Sequence, residues 1–94
     1  MRSAIVESLD FCFVCGTMQN VEVHHCIHGT SGRKLATKYH LVVGLCSEHH
    51  RGTYGVHGKY GHDLDETLKK VAQRTFEEKH SHEEWMQVFG KNYL

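Results

Sequence analysis

The strongest constraint on this chain is a pair of short, matched turns. Residues 12 to 15 read Cys-Phe-Val-Cys and residues 46 to 49 read Cys-Ser-Glu-His, with thirty residues between Cys15 and Cys46. Two donors on each of two tight turns make the four ligands that tetrahedral zinc takes in a structural site, with no position open to substrate. A staple is expected here, because 94 residues at 39% hydrophobic content make a thin core. Metal is expected over disulfide. The cysteines sit among histidines, and the opening MRSAIVESLDF carries Glu7 and Asp10 and lacks the apolar run of a secretory signal. No stretch reads as a membrane span, so the expected compartment is a reducing cytoplasm. Cys12, Cys15, Cys46 and His49 are the expected zinc ligands, and metal binding is expected to contribute folding free energy. Cys26 reads as a small buried hydrophobe.

Ten histidines remain the unusual feature of the composition, and four of them form the doublets His24–His25 and His49–His50. Adjacent side chains diverge in a strand or a helical turn. If His49 closes the zinc site, His50 is free for another duty, and the same holds within the first doublet. Residues 21 to 24, VEVH, alternate as a strand does, and 41 to 45, LVVGL, is a β-branched run fit to pair with it. Residues 27 to 39, IHGTSGRKLATKY, read as a loop. With a strand on each side of that loop, the doublets can converge as one ligand from each arm plus a neighbour free to act as base. That is what metal-assisted phosphodiester cleavage needs.

Beyond Cys46 the sequence reads as a helical turn and then a loop punctuated by glycines at 52, 55, 58 and 61. A helix is expected from about Asp63, capped by the Asp63/Glu66 box, with Leu64, Leu68, Val71, Ala72 and Phe76 along one stripe to about Lys79. Ser81 and Glu84 form a second box, opening a short helix with Trp85, Val88 and Phe89 on one side and Gly90 at its end. Both stripes read as core. No repeat, low-complexity run or linker divides residues 1 to 94 into more than one domain.

The formal charge is zero, so composition gives no electrostatic argument for nucleic acid. The distribution does. Between residues 33 and 51, Arg33, Lys34, Lys38 and Arg51 stand against the single acid Glu48, which makes these four candidates to hold phosphates.

The order C-x-x-C, VEVHH, a glycine-containing loop and LVVGLCSEHH resembles the HNH endonucleases of the ββα-metal (His-Me finger) fold. More narrowly, HHCIHG, GRK, LVVGLCSEHHRGTYGVHG and FGKNYL are similar to small phage HNH proteins of the recombination-enhancement type. The motif covers about residues 10 to 62, and the helical tail follows from about 63 to 94. The resemblance implies an α+β fold with a zinc-stapled ββα-metal core, and metal-dependent endonuclease or nickase activity on DNA in phage DNA processing or recombination. The products would carry a 5′-phosphate and a 3′-hydroxyl, and the location would be the bacterial host cytoplasm. It matches His24 to a catalytic metal ligand, His25 to the general base and His50 to the closing ligand, with magnesium, manganese or zinc as the catalytic ion. The family's middle asparagine has no counterpart; His40 stands near its place. His57 is either a third ligand or a loop histidine. His62 reads as a neighbour of the helix cap, and His28, His80 and His82 read as solvated. The alternative functions are a non-catalytic zinc module that binds DNA or a replication or recombination partner, and, more remotely, a histidine-rich metal buffer. Monomer and homodimer both stay open.

Overall fold

A computed structural model describes all residues from Met1 to Leu94. The order of elements is β1 (Val21–His25), α1 (Thr30–Lys38), β2 (Val42–Cys46), α2 (Ser47–Arg51), α3 (His62–Glu77) and α4 (His82–Phe89). The chain is thus a small α+β unit with one two-stranded antiparallel sheet and four helices. No helix is long and apolar enough to cross a membrane.

The strands pair with Val21 opposite Cys46, His24 opposite Val43 and His25 opposite Val42. Every residue of β2 is buried, as its unbroken apolar run requires, while β1 alternates and exposes Val23. The period of two puts Glu22 and His24 on one face of β1 and His25 on the other. Gly44 decides how the N-terminal segment crosses this sheet. A β-carbon there would lie 2.5 Å from the Phe11 carbonyl oxygen and 2.7 Å from that of Leu9. Without one, the Phe13 N–H donates to the Gly44 carbonyl at 2.8 Å, and Cys12 is laid beside the end of β2.

The expected loop over residues 27 to 39 is wrong over most of its length, because Thr30–Lys38 is a helix. Thr30, Ser31 and Gly32 read as a loop only locally; they make the first turn of a segment whose Arg33, Lys34, Leu35, Ala36 and Lys38 all favour helix. Burial of Ala36 and packing of α1 on β1 and α4 complete the case. The helix ends in a Schellman motif: the Leu41 N–H donates to the Ala36 carbonyl at 2.8 Å and the His40 N–H to that of Thr37 at 3.2 Å. His40 sits at the left-handed position, with φ of 60°. This is a place for glycine or asparagine, and histidine is among the few other residues that populate it.

The expected Asp63/Glu66 box is also corrected. Helix α3 begins at His62 with Gly61 as N-cap and no side-chain cap. Asp63 is therefore already inside the first turn, where it faces the positive end of the helix dipole without capping it. The helix closes at Glu77, two residues before the expected end. Helix α4 follows expectation, with Ser81 and Glu84 forming a reciprocal capping box and Gly90 left-handed at φ of 75°. Leu68, Ala72 and Phe76 of α3 and Trp85 of α4 join Leu41, Val43 and Leu45 in the core. The tail is pinned by the Trp85 indole N–H on the Lys91 carbonyl at 2.8 Å and by buried Gln73, which accepts the Tyr93 N–H at 2.7 Å.

Only 20 of the 94 residues are buried, which leaves the core short of what a free-standing domain needs. That shortfall turns attention to the cysteines.

Candidate metal centres

Cys12, Cys15, Cys46 and His49 bring their four ligand atoms within 4.8 Å of one another. Zinc–sulfur bonds of about 2.3 Å in a tetrahedron place sulfur atoms about 3.8 Å apart. The Cys15 and Cys46 sulfurs are 3.9 Å apart, and His49 Nδ1 lies 3.2 Å from Cys46 Sγ and 3.7 Å from Cys12 Sγ. The donor set and its spacing fit a structural metal such as zinc. Burial alone would raise the Cys12 thiol, but backbone N–H groups of Cys46, Cys15 and Val14 outweigh it and hold the pKa at about 6. The thiolate a metal needs is thus favoured before any metal binds. Cys26 stands apart from this cluster, fully buried, its thiol pushed up to about 12 by burial and the Asp65 charge. It is the inert packing residue expected.

One residue along α2, His50 turns to a second cluster. Its ring lies 5.3 Å from that of His24 and 4.9 Å from that of His57, and one nitrogen from each of the three falls within 4.8 Å of the others. Such nitrogens lie no more than about 2.8 Å from a common centre, against about 2.1 Å for a metal–imidazole bond, so modest ring rotation closes them on one ion. His57 reaches this place because the glycine-bearing loop folds back, its N–H donating to the His50 carbonyl at 3.0 Å.

Two features of this cluster fit a cation. His24 is 1% exposed, and its Nε2 is the one buried side-chain nitrogen or oxygen with no hydrogen-bond partner. An orphaned buried polar atom costs about 1–3 kcal/mol, which a bound ion would offset. Burial, followed by the charges of His50 and His57, holds the His24 pKa down at about 3, so its ring stays neutral and keeps a lone pair. The second feature is Glu22. Its Oε1 lies 2.8 Å from His50 Nδ1 and its Oε2 accepts from Arg51 at 2.5 Å. Bonding to His50, with the Arg51 charge, lowers the Glu22 pKa despite partial burial. The carboxylate orients His50 and fixes its proton on Nδ1, freeing Nε2.

His25 leaves the opposite face of β1, yet it lines the same cavity of about 360 Å³ as His24, His28, Arg33, His50 and His57. Its Nε2 is 3.0 Å from the Thr37 hydroxyl, which donates its own proton to the Arg33 carbonyl at 3.0 Å. A hydroxyl has one proton, so Thr37 accepts from His25 Nε2–H, and Nδ1 is the unprotonated nitrogen. Burial, then the nearby Arg33 and His50 charges, lowers the His25 pKa, which favours that neutral form. The doublets therefore diverge as expected: His49 and His50 serve different clusters, and His24 and His25 stand in different settings around one cavity.

The other expected residues divide. Arg33 and Lys34 line a second cavity of about 690 Å³ that adjoins the first through His25 and Arg33. Lys38 lies against its neighbour Tyr39 and lines a separate cavity with Arg2, Lys79 and His80, apart from the cavity of Arg33 and Lys34. Arg51, expected to hold phosphate, is engaged by Glu22. His28, expected to be solvated, is exposed at the edge of the cluster, and its Nε2 also lies 2.9 Å from Asp65 Oδ1. Asp65 is held in turn by Lys69 at 3.0 Å. His80 and His82, also expected to be solvated, are partly exposed and pair with Glu84 and Glu77 at 3.1 and 3.0 Å, and His80 stacks on Phe76. His62 is the exposed first residue of α3.

Sequence reasoning missed Glu22, Thr37 and Asp65. Glu22 was accessible, since it lies two residues before His24 on the same strand face. Thr37 lay in a segment read as loop, and Asp65 meets His28 only through the packing of α3. No family model, curated protein or solved structure matches this chain.

Proposed function

We propose that the chain is a metal-dependent DNA endonuclease or nickase built on a ββα-metal core of β1, β2 and α2. The observation that carries this reading is the pairing, around one cavity, of a three-imidazole cluster with an orphaned His24 nitrogen and a fourth imidazole, His25, held outside it by Thr37. His24, His50 and His57 would hold the catalytic ion. When bound, the ion supplies charge neutralisation at the scissile phosphate and the leaving oxygen. His25 takes a proton from the attacking water at Nδ1, the lone-pair nitrogen, while Thr37 keeps Nε2 protonated. Arg33 and Lys34 hold the phosphates that flank the reacting one. Glu22 keeps His50 in register. Three imidazoles with no carboxylate among them suit zinc or nickel better than magnesium or manganese.

The test is nicking of supercoiled plasmid with each of these ions. The native chain converts plasmid to open circles, and His25→Ala with both metal clusters loaded loses at least about 100-fold, the usual range for a general base. Equal rates would remove His25 from its role. Zero net charge and the Arg51–Glu22 pair favour a second reading, a zinc module that binds DNA or a recombination partner without cutting it. A chain that takes up one zinc, and no second ion at millimolar manganese, supports the module.

A further inference from the structure

The loop between α2 and α3 carries more than His57. It is a closed, hydrogen-bonded ring of chain: the Tyr60 N–H donates to the Thr53 carbonyl at 2.9 Å, and Val56 N–H to that of His49 at 2.9 Å. Its glycines are packed against backbone. A β-carbon on Gly58 would lie 1.9 Å from the Gly52 carbonyl oxygen, and one on Gly61 1.7 Å from that of Gly55. The loop is therefore tight, and its surface side chains have fixed stems.

Two of those side chains are tyrosines, placed three residues before and three after His57. Their rings stack on each other, with centres 5.4 Å apart and planes 28° apart, and they do not join the core. Tyr54 is 72% exposed and Tyr60 58%, so each keeps most of its surface in water. Lys59 adds a cation 5.3 Å from the centre of the Tyr60 ring. Tyrosine is intermediate in its burial, and these two are far more exposed than Phe11 and Phe13, at 36% and 37%. Here a rigid loop holds both tyrosines outward, stacked at 28° to each other, with a positive charge alongside, on the same segment that delivers an imidazole to the metal cluster.

We infer that Tyr54 and Tyr60 form a stacking platform for an unpaired nucleobase next to the phosphate at the imidazole cluster, so that the substrate is single-stranded or locally unpaired DNA. The inference rests on the nuclease reading for the identity of the ligand and extends it to the form of the strand. Stacking on aromatic rings is tolerant of sequence because every base has a π-face, and it is closed to duplex DNA, whose bases are already stacked. Lys59 serves the adjoining phosphate. Loop rigidity keeps the entropic cost of binding low.

The test measures binding rather than cutting. A fluorescently labelled mixed-sequence strand of about 20 nucleotides and its duplex are titrated with the 94-residue chain loaded with one zinc equivalent and no other divalent ion. The platform predicts tighter binding to the single strand than to the duplex. In Tyr54→Ala/Tyr60→Ala the single-strand Kd rises about tenfold or more and the duplex Kd does not change. Tyr54→Phe/Tyr60→Phe, which keeps both rings, stays within about twofold of native. Single-strand binding by the alanine pair equal to native overturns the inference, as does an equal loss on both strand forms. Tyr54→Ala alone, at the more exposed position, is the control for folding and shows the same selective loss. Failure of the nuclease reading gives a different pattern: aromatic-dependent strand binding with no nicking under any ion keeps the platform and removes the enzyme. A chain that binds neither form overturns both.

Discussion

The two clusters meet at adjacent residues of α2 and differ in almost every other respect. The Cys12, Cys15, Cys46 and His49 cluster is closed, with four donors on two tight turns and ligand spacing that already matches a tetrahedron. The His24, His50 and His57 cluster is open, with three donors, an orphaned nitrogen and a cavity beside it. A closed set stabilises the fold and has no room for chemistry, whereas an open one leaves coordination positions for a ligand. The divergence of His49 and His50 lets one short helix serve both. Rigidity at the first site fixes the geometry of the second.

Breaking the closed cluster is expected to have the largest effect. A fold of this length has a net stability of about 5–14 kcal/mol, and structural zinc contributes about 10–16 kcal/mol. Cys46→Ala, or prolonged exposure of the native chain to a strong chelator, is therefore expected to abolish cooperative folding. Circular dichroism melts with zinc content in parallel check this, and a sharp native-like transition in metal-free protein would contradict it. Such a result would mean that the two clusters differ less than their geometry suggests.

A change beside the open cluster is expected to be milder and confined to it. Glu22→Gln keeps the shape but removes the charge that orients His50. Affinity for manganese at the second site should fall about 10–100-fold, with zinc at the first site and the melting transition nearly unchanged. Calorimetric titration of manganese into zinc-loaded protein reads the difference. An unchanged affinity would show that His50 is held by the sheet alone.

The smallest effect is expected away from both clusters, at His40, where a left-handed residue ends α1 and so sets the position of Thr37. His40→Val should lose about 1–2 kcal/mol in urea unfolding, and His40→Gly should equal or exceed native stability. Neither should alter metal content. Equal stability of all three would contradict the Schellman reading.

The sequence made the closed cluster readable because its information is local: C-x-x-C and C-x-x-H each fit on one turn. Strands β1 and β2, the α4 capping box and the left-handed Gly90 were readable for the same reason. The open cluster was readable only in part. His24 and His50 follow from divergence within doublets, but the return of His57 depends on how four glycines pack against backbone, which no spacing encodes. Helix α1 was hidden because Thr30, Ser31 and Gly32 resemble a loop when taken alone, and its stability comes from β1 and α4. With α1 hidden, Thr37 was hidden too. His28 and Asp65 meet across 37 positions, through a contact that exists only once α3 docks.

The central claim is that one chain carries two separable metal centres, one closed and one open, divided between His49 and His50. Native mass spectrometry of zinc-loaded protein tests it most directly, comparing the native chain with His50→Ala. Two ions per native chain and one per folded His50→Ala chain is the predicted result. A single ion in both, or loss of both ions and of the fold in His50→Ala, would contradict the claim.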